Sequence, residues 1–295
     1  MHPVTPTPVD STPITVKQAL VSATALGLDR LDSQLLLLQA MGKTDTDRAW
    51  LLTHDDDQLA AATSGLFKQL CERRAAGEPW AYIAGFKEFF GLLLKVDARV
   101  LVPRPDTETL AQWAIDLLPG QQADEVSVLD LGTGSGAIAL AIAHHCQQTS
   151  FNARIVAIDA SFDALALASE NAGRLGLAGA IRFYQGNWLE GLEGQFALIV
   201  SNPPYIASAD PHLKALAHEP LQALASGADG LDDIRRIISA APAHLLHGGW
   251  LLLEHGYDQA AQVGELLASW GFQRIQSRVD LAGHTRCSGG QWLPG

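Results

Sequence analysis

Val126-Ser127-Val128-Leu129-Asp130-Leu131-Gly132-Thr133-Gly134-Ser135-Gly136 decides the fold of this chain. Its first six residues form a short, largely apolar run, which predicts a buried parallel strand. Three alternating glycines follow, and from Ala137 apolar residues recur at helical spacing. A strand that ends in glycines and feeds a helix opens an α/β unit with a ligand loop at its tip. Glycine lets the backbone approach a ligand closely and adopt left-handed φ values. The helix start that follows offers free N–H groups to an anion.

The same alternation extends outward. Helix 107–118 leads to strand 126–131, helix 137–146, strand 154–158, helix 162–175 and strand 181–184. Strand 196–201, a long insertion, helix 232–246, strand 250–254, helix 259–270 and two adjacent strands, 272–279 and 285–292, complete it. This predicts a Rossmann-like α/β domain over 105–295, with a mostly parallel seven-stranded sheet and an antiparallel edge.

Upstream, apolar residues at helical spacing predict a small bundle over 14–85, with helices at 14–26, 31–41, 47–53 and 58–75. Asp29 is the expected N-cap of the second helix and Gly42 its stop. The stretch 86–104 reads as a β-hairpin linker, its strands drawn from Phe86 to Leu94 and from Val100-Leu101-Val102. Residues 1–13, rich in Pro and Thr, read as a disordered tail.

The 295 residues are 47% hydrophobic, enough for a substantial core. A net charge of −12 disfavours a nucleic-acid groove. Residues 1–85 carry 7 Lys/Arg against 10 Asp/Glu, so the helical part is poorly suited to gripping phosphates. Cys71, Cys146 and Cys287 are scattered without metal spacing, which fits free thiols in a reducing cytoplasm. No apolar run reaches the roughly 18 residues of a membrane span. Asp55-Asp56-Asp57 after His54 reads as a helix N-terminus rather than a metal site, and no metal is expected.

The loop itself, Gly132, Thr133, Gly134, Ser135 and Gly136, also fits the loose dinucleotide spacing through Gly132, Gly134 and Ala137. Asp159 ends the next strand, where an acid can accept hydrogen bonds from both hydroxyls of a ribose. NAD and S-adenosylmethionine (SAM) share that ribose, so these residues alone do not separate the two.

A second signal does. Asn202-Pro203-Pro204-Tyr205 follows the apolar run Phe196–Ser201. Two prolines stop the ladder and stiffen the turn. An amide or aromatic amine nitrogen has a delocalised lone pair and two hydrogens to place. The Asn202 side-chain oxygen can accept one and the Pro203 carbonyl the other. Tyr205 can pack its ring against the planar group. Catalysis then comes from positioning and fixed dipoles, with no nucleophilic residue and no metal.

With these residues in place, the chain resembles the release factor glutamine N5-methyltransferases (the HemK/PrmC family) of class I SAM-dependent methyltransferases. The matching stretches are Val102-Pro103-Arg104-Pro105-Asp106-Thr107-Glu108, the loop from Leu129 to Ala139, and Asn202 to Ile206. Glu219-Pro220-Leu221, Gly227 to Leu231, Gly248 to Gly256 and Asp280-Leu281-Ala282-Gly283 match as well. The resemblance implies methylation of the glutamine amide in the Gly-Gly-Gln motif of class I peptide chain release factors, with SAM as donor. It implies cofactor binding by Gly132 through Gly136, Asp159, Trp188 and Asn202. It implies that Asn202, Pro203, Pro204 and Tyr205 hold the substrate amide. Where the family often has an acid before the tryptophan, this chain has Asn187. DNA adenine methyltransferases share the Asn-Pro-Pro-Tyr turn, and sister enzymes act on a ribosomal protein. The Pro-Arg-Pro-Asp-Thr-Glu stretch favours release factors over both. A SAM-binding module without catalysis is a third reading, opposed by the intact 202–205 turn.

Other residues have simpler readings. Trp188 can be core, Arg104 and Glu108 an exposed helix-start pair, and His255 a core or edge residue. Gly289-Gly290-Gln291 repeats the methylated tripeptide in this chain itself, which raises self-methylation as an expectation to check.

Overall fold

The computed structural model describes residues 13–118 and 125–294. The expected tail, up to residue 12, lies outside the described residues. The chain divides into two compact units, Met1–Ala84 and Gly85–Gly295.

The first unit is helical: α1 Val16–Ala25, α2 Arg30–Ala40, α3 Arg48–Thr53, α4 Ala61–Ala75 and the short α5 Trp80–Ala84. Thr15 opens α1 with a capping box. The Asp29 carboxylate caps α2, accepting from Asp32 N at 2.8 Å. Val16, Ala19, Leu36, Leu37, Phe67 and Cys71 are buried at its centre. The acidic run at 55–57 does not start a helix. The carbonyls of Asp55 and Asp57 accept from Lys17 N and Val16 N, satisfying orphan donors of α1, and α4 begins only at Ala61.

The second unit opens with a two-stranded hairpin, β1 Phe86–Phe89 and β2 Leu92–Lys95. Then come α6 Thr107–Leu117, β3 Val126–Leu131, α7 Ala137–Thr149, β4 Ala153–Asp159, α8 Phe162–Arg174 and β5 Ile181–Gln185. β6 Phe196–Ser201, α9 Asp232–Ala240, β7 Leu245–Glu254, α10 Ala260–Ser269, β8 Gln273–Val279 and β9 Thr285–Gln291 complete it. The large sheet has seven strands in the order β5-β4-β3-β6-β7-β9-β8. β5, β4, β3, β6 and β7 run parallel, and β9 is antiparallel to both its neighbours. Every residue of β3 and β6 is buried, as strands covered on both faces require. The chain leaves β3 for β4 and β5, then returns to place β6 on the other side of β3. The crevice at their carboxyl ends is therefore a topological switch point.

Two sequence expectations change. Val100-Leu101-Val102 is not a strand, because Val102 N is diverted to the Glu219 carboxylate at 3.0 Å. The helix expected over 232–246 stops at Ala240. Pro242, which lacks a donor, sits in a 3₁₀ turn over Ala241–His244, and β7 starts at once at Leu245.

Gly289-Gly290-Gln291 lies inside β9. A Cβ on Gly289 would stand 2.5 Å from Leu252 Cδ2, and one on Gly290 would stand 2.9 Å from Phe272 Cβ. Gln291 Nε2 donates to the Gly248 carbonyl at 2.8 Å. Close packing explains these glycines, and a strand paired on both sides does not present Gln291 as a substrate.

Candidate active site

A cavity of about 270 Å³ opens at the carboxyl ends of β3, β4 and β6, within the second unit. Gly132 and Gly134 line it with φ of 70° and 56°, and Gly136, off the lining, has φ 85°, values that strain other residues. Gly136 also faces packing constraints, since a Cβ there would stand 2.9 Å from Leu140 Cδ1. Beside Gly134 there is open space within 4 Å, so its backbone is bare to the cavity.

Two carboxylates shape the loop. Asp159 Oδ2 accepts from Gly134 N at 2.8 Å, and Oδ1 accepts from Ser161 N at 2.9 Å. Burial raises its pKa, against the pull of these N–H groups. Each oxygen keeps a lone pair for a further donor. Asp130, fully buried under the loop, accepts from the Thr133 hydroxyl at 2.7 Å and Ala139 N at 3.2 Å, both through Oδ2. Its Oδ1 has no partner among the described residues. Burial pushes this carboxyl up to about 7.

Trp188 closes the cavity beside Gly132. A Cβ on Gly132 would stand 3.2 Å from the Trp188 ring. Trp188 has φ 52°, an unusual value for a bulky residue. Its indole Nε1 donates to Asp233 Oδ1 at 3.0 Å, and Asp233 Oδ2 accepts from the Ser226 hydroxyl at 2.7 Å. Trp188 packs on apolar neighbours and also lines the cavity. Asn187 also lines the cavity while its Nδ2 donates to Glu190 at 3.0 Å.

The 202–205 turn leaves β6 toward the same cavity. Asn202 Nδ2 donates to the Thr107 hydroxyl at 3.1 Å, and its Oδ1 has no hydrogen bond among the described residues. Asn202, Pro204 and Thr107 line the cavity. Pro203 is buried, and neither it nor Tyr205 is on the lining. The Tyr205 ring is therefore not where the sequence expectation put it. Its hydroxyl is drawn inward to Glu254 Oε1 at 3.2 Å, and its carbonyl is held by Gln259 Nε2 at 3.1 Å. Burial, reinforced by the Glu254 charge, pushes the Tyr205 phenol well up.

Thr107, Asp233, Glu219 and Glu254 escaped sequence reasoning as site-shaping groups, though Thr107, Glu219 and Glu254 lie in stretches singled out above. Arg104 and Glu108 do not form a pair. Arg104 Nη2 donates to Glu219 Oε1 at 2.5 Å, whereas Glu108 accepts from Phe90 N in the hairpin turn at 3.1 Å. His255 is fully buried, with Nε2 on the Ser288 hydroxyl at 2.8 Å, a structural placement.

These groups fit SAM. A bare glycine backbone, an acid with lone pairs in reserve and an indole face lie around one cavity.

Comparison with known proteins agrees with this chemistry. Residues 112–262 match the methyltransferase small domain family, and residues 16–85 match the PrmC N-terminal domain family. A release factor glutamine methyltransferase of Xylella fastidiosa is 48% identical, over 92% of this chain and 97% of its own length. One of Bordetella pertussis is 46% identical, over 90% of this chain and 95% of its own. A methyltransferase structure from Pyrococcus furiosus shares the fold, with a TM-score of 0.52 and 20% identity over 76% of this chain and 100% of its own. Domain matches at both ends of the chain and near-full-length relatives lead to one assignment: the chain belongs to the release factor glutamine methyltransferase family, with SAM as its methyl donor.

Proposed function

We propose that this protein methylates the side-chain amide nitrogen of the glutamine in the Gly-Gly-Gln motif of class I peptide chain release factors. The proposal places the reaction in the cytoplasm, with no stable nucleic-acid partner. The observation that carries it is the orientation of Asn202. Its nitrogen is occupied by Thr107, so its oxygen is the group left to receive an N–H from the cavity.

Bound SAM supplies an electrophilic methyl group on a sulfonium. Asn202 Oδ1 accepts one hydrogen of the substrate amide, and the Pro203 carbonyl is the proposed acceptor for the other. Holding both fixes the nitrogen in line for transfer and stabilises the positive charge developing there. Pro204 forms a rigid wall. Tyr205 acts from behind, anchoring the turn through Glu254. Gly132 through Gly136 and Asp159 are the proposed cofactor cradle, with Trp188 flanking the adenine. The Asn187 amide oxygen is a suitable acceptor for the adenine amino group. The 99–104 segment, pinned by Arg104 to Glu219, lines the same cavity.

A competition assay tests the acceptor class. Labelled SAM is offered with an unmethylated class I release factor, a ribosomal protein fraction and an adenine-containing duplex together. Label confined to the release factor is expected. Label on the duplex or on the ribosomal protein instead overturns the proposal.

A further inference from the structure

Trp188 sits between β5 and β6, outside any strand, yet it adopts φ 52°. A bulky residue keeps such a conformation only where its surroundings fix it. The Gly132 contact sets how closely the ring approaches the glycine loop. The indole N–H sets which way the ring edge points, because an indole has one donor and needs a partner for it when it leaves water. That partner is Asp233 Oδ1, at 3.0 Å.

Asp233 is the second residue of α9, where an acid is ordinarily explained by the positive end of the helix. Its carboxylate is turned elsewhere. Among the described residues neither oxygen takes a backbone N–H of α9. Oδ1 takes the indole, with Arg236 Nη1 at a longer 3.5 Å, and Oδ2 takes the Ser226 hydroxyl at 2.7 Å. Ser226 is buried and returns the contact, its Oγ accepting from Asp233 N at 2.8 Å. Ser226 N in turn donates to the Ile206 carbonyl at 2.9 Å, and Ile206 N donates to the Leu224 carbonyl at 2.9 Å. Ile206 directly follows the 202–205 turn, and the same strap supplies Pro220, Gln222 and Ala223 to the cavity lining. One carboxylate thus ties the wall beside the glycine loop to the strap that holds the 202–205 turn.

We infer that Asp233 is a positioning residue that joins these two walls. Through Oδ1 it sets the Trp188 indole on the cofactor side. Through Oδ2 and Ser226 it holds the 220–226 strap against Ile206 on the substrate side. This rests on the reading of the cavity as holding SAM beside Trp188 and the glutamine amide beside Asn202. The role needs an acceptor for the indole and a polar partner for Ser226, and it does not need a charge. Asparagine meets both demands, since its Oδ1 can accept from the indole and its Nδ2 can donate to Ser226 Oγ. Leucine has a similar size and meets neither.

The test pairs calorimetric SAM binding with steady-state methylation of an unmethylated class I release factor by the full chain at saturating SAM. Asp233→Leu should weaken SAM binding about 5- to 20-fold and raise KM for the release factor about 3- to 10-fold, as expected for lost hydrogen bonds at partly buried groups. Asp233→Ala takes its place, with the same expectations, if the leucine variant does not fold. Asp233→Asn should stay within about threefold of the parent on both measures. Trp188→Phe should weaken SAM binding, and the Trp188→Phe/Asp233→Leu double should bind SAM no worse than the poorer single, because both cut one contact. Ser226→Ala should raise KM for the release factor and leave SAM affinity within about threefold. Parental SAM affinity in Asp233→Leu overturns the proposal. So does an Asp233→Asn defect as large as that of leucine, which would make charge the cause. So does a Ser226→Ala defect confined to SAM affinity. A parent that binds SAM without methylating the release factor overturns the functional reading and the substrate half with it, while the calorimetric series still decides the Trp188 half.

Discussion

Arg104 and Glu219 meet across 115 positions of sequence, with the guanidinium donating to a carboxylate whose side chain is 2% exposed. The same carboxylate takes Val102 N at 3.0 Å. One buried acid thus holds both the backbone and a side chain of the 99–104 segment, which forms a wall of the cavity. Removing Arg104 leaves Glu219 buried with a single N–H donor. Arg104→Ala is expected to cost about 1–3 kcal/mol in denaturant unfolding. The Arg104→Ala/Glu219→Gln double should cost less than the sum of the singles. Strict additivity would show that the pair is not coupled.

Asp159 serves two partners. It braces the loop through Gly134 N, and in the proposed cofactor cradle it also accepts from the ribose. Asp159→Ala should therefore weaken SAM binding about 10- to 100-fold by calorimetry, in line with the loss of hydrogen bonds to a charged group. Unchanged affinity would contradict the ribose assignment.

Gly132 and Gly134 should respond differently to the same substitution. Both have positive φ, so alanine costs about 1–2 kcal/mol at either. At Gly132 the new methyl also meets the Trp188 ring at 3.2 Å, whereas at Gly134 it enters open space at the cavity. Gly132→Ala should lower the melting temperature more. Gly134→Ala should chiefly weaken SAM binding. Equal melting shifts would argue against the Trp188 contact.

Asp130 and Glu254 are buried carboxyls, and burial pushes each up to about 7, from ordinary values of 3.8 and 4.5. The native state therefore holds protons that the unfolded chain has released. Stability from these groups is fully present below the unfolded-state values and is lost as pH rises through about 7. Asp130→Asn should flatten the fall in unfolding free energy between about pH 4 and 7, measured with urea. A slope identical to the parent would mean that Asp130 is ionised throughout this range in the folded protein.

Much of this was legible in the sequence because it is local. The glycine loop, the two buried strands β3 and β6 and the proline turn are set by backbone geometry and short apolar runs. The boundaries 126–131 and 196–201 were read directly, since buried parallel strands leave continuous apolar signals. The misreadings arose where a distant partner overrode local preference. Val100-Leu101-Val102 looks like a strand, yet Glu219 takes the Val102 N–H. Tyr205 looks like a substrate platform, yet Glu254 draws its hydroxyl inward. Asp233 gave no signal, because a helix-start acid looks ordinary until the Trp188 indole is found on it. The chemistry of the site rests on local motifs, but its orientation rests on long-range polar pairs.

The most direct test of the central claim is to map the methyl group. Purified protein, SAM and an unmethylated class I release factor are incubated together, and the product is sequenced by mass spectrometry. One added methyl on the glutamine of Gly-Gly-Gln, absent when that residue is changed to alanine, is the predicted result. Methyl transfer to another residue of the release factor, or none while SAM is bound, would contradict the account.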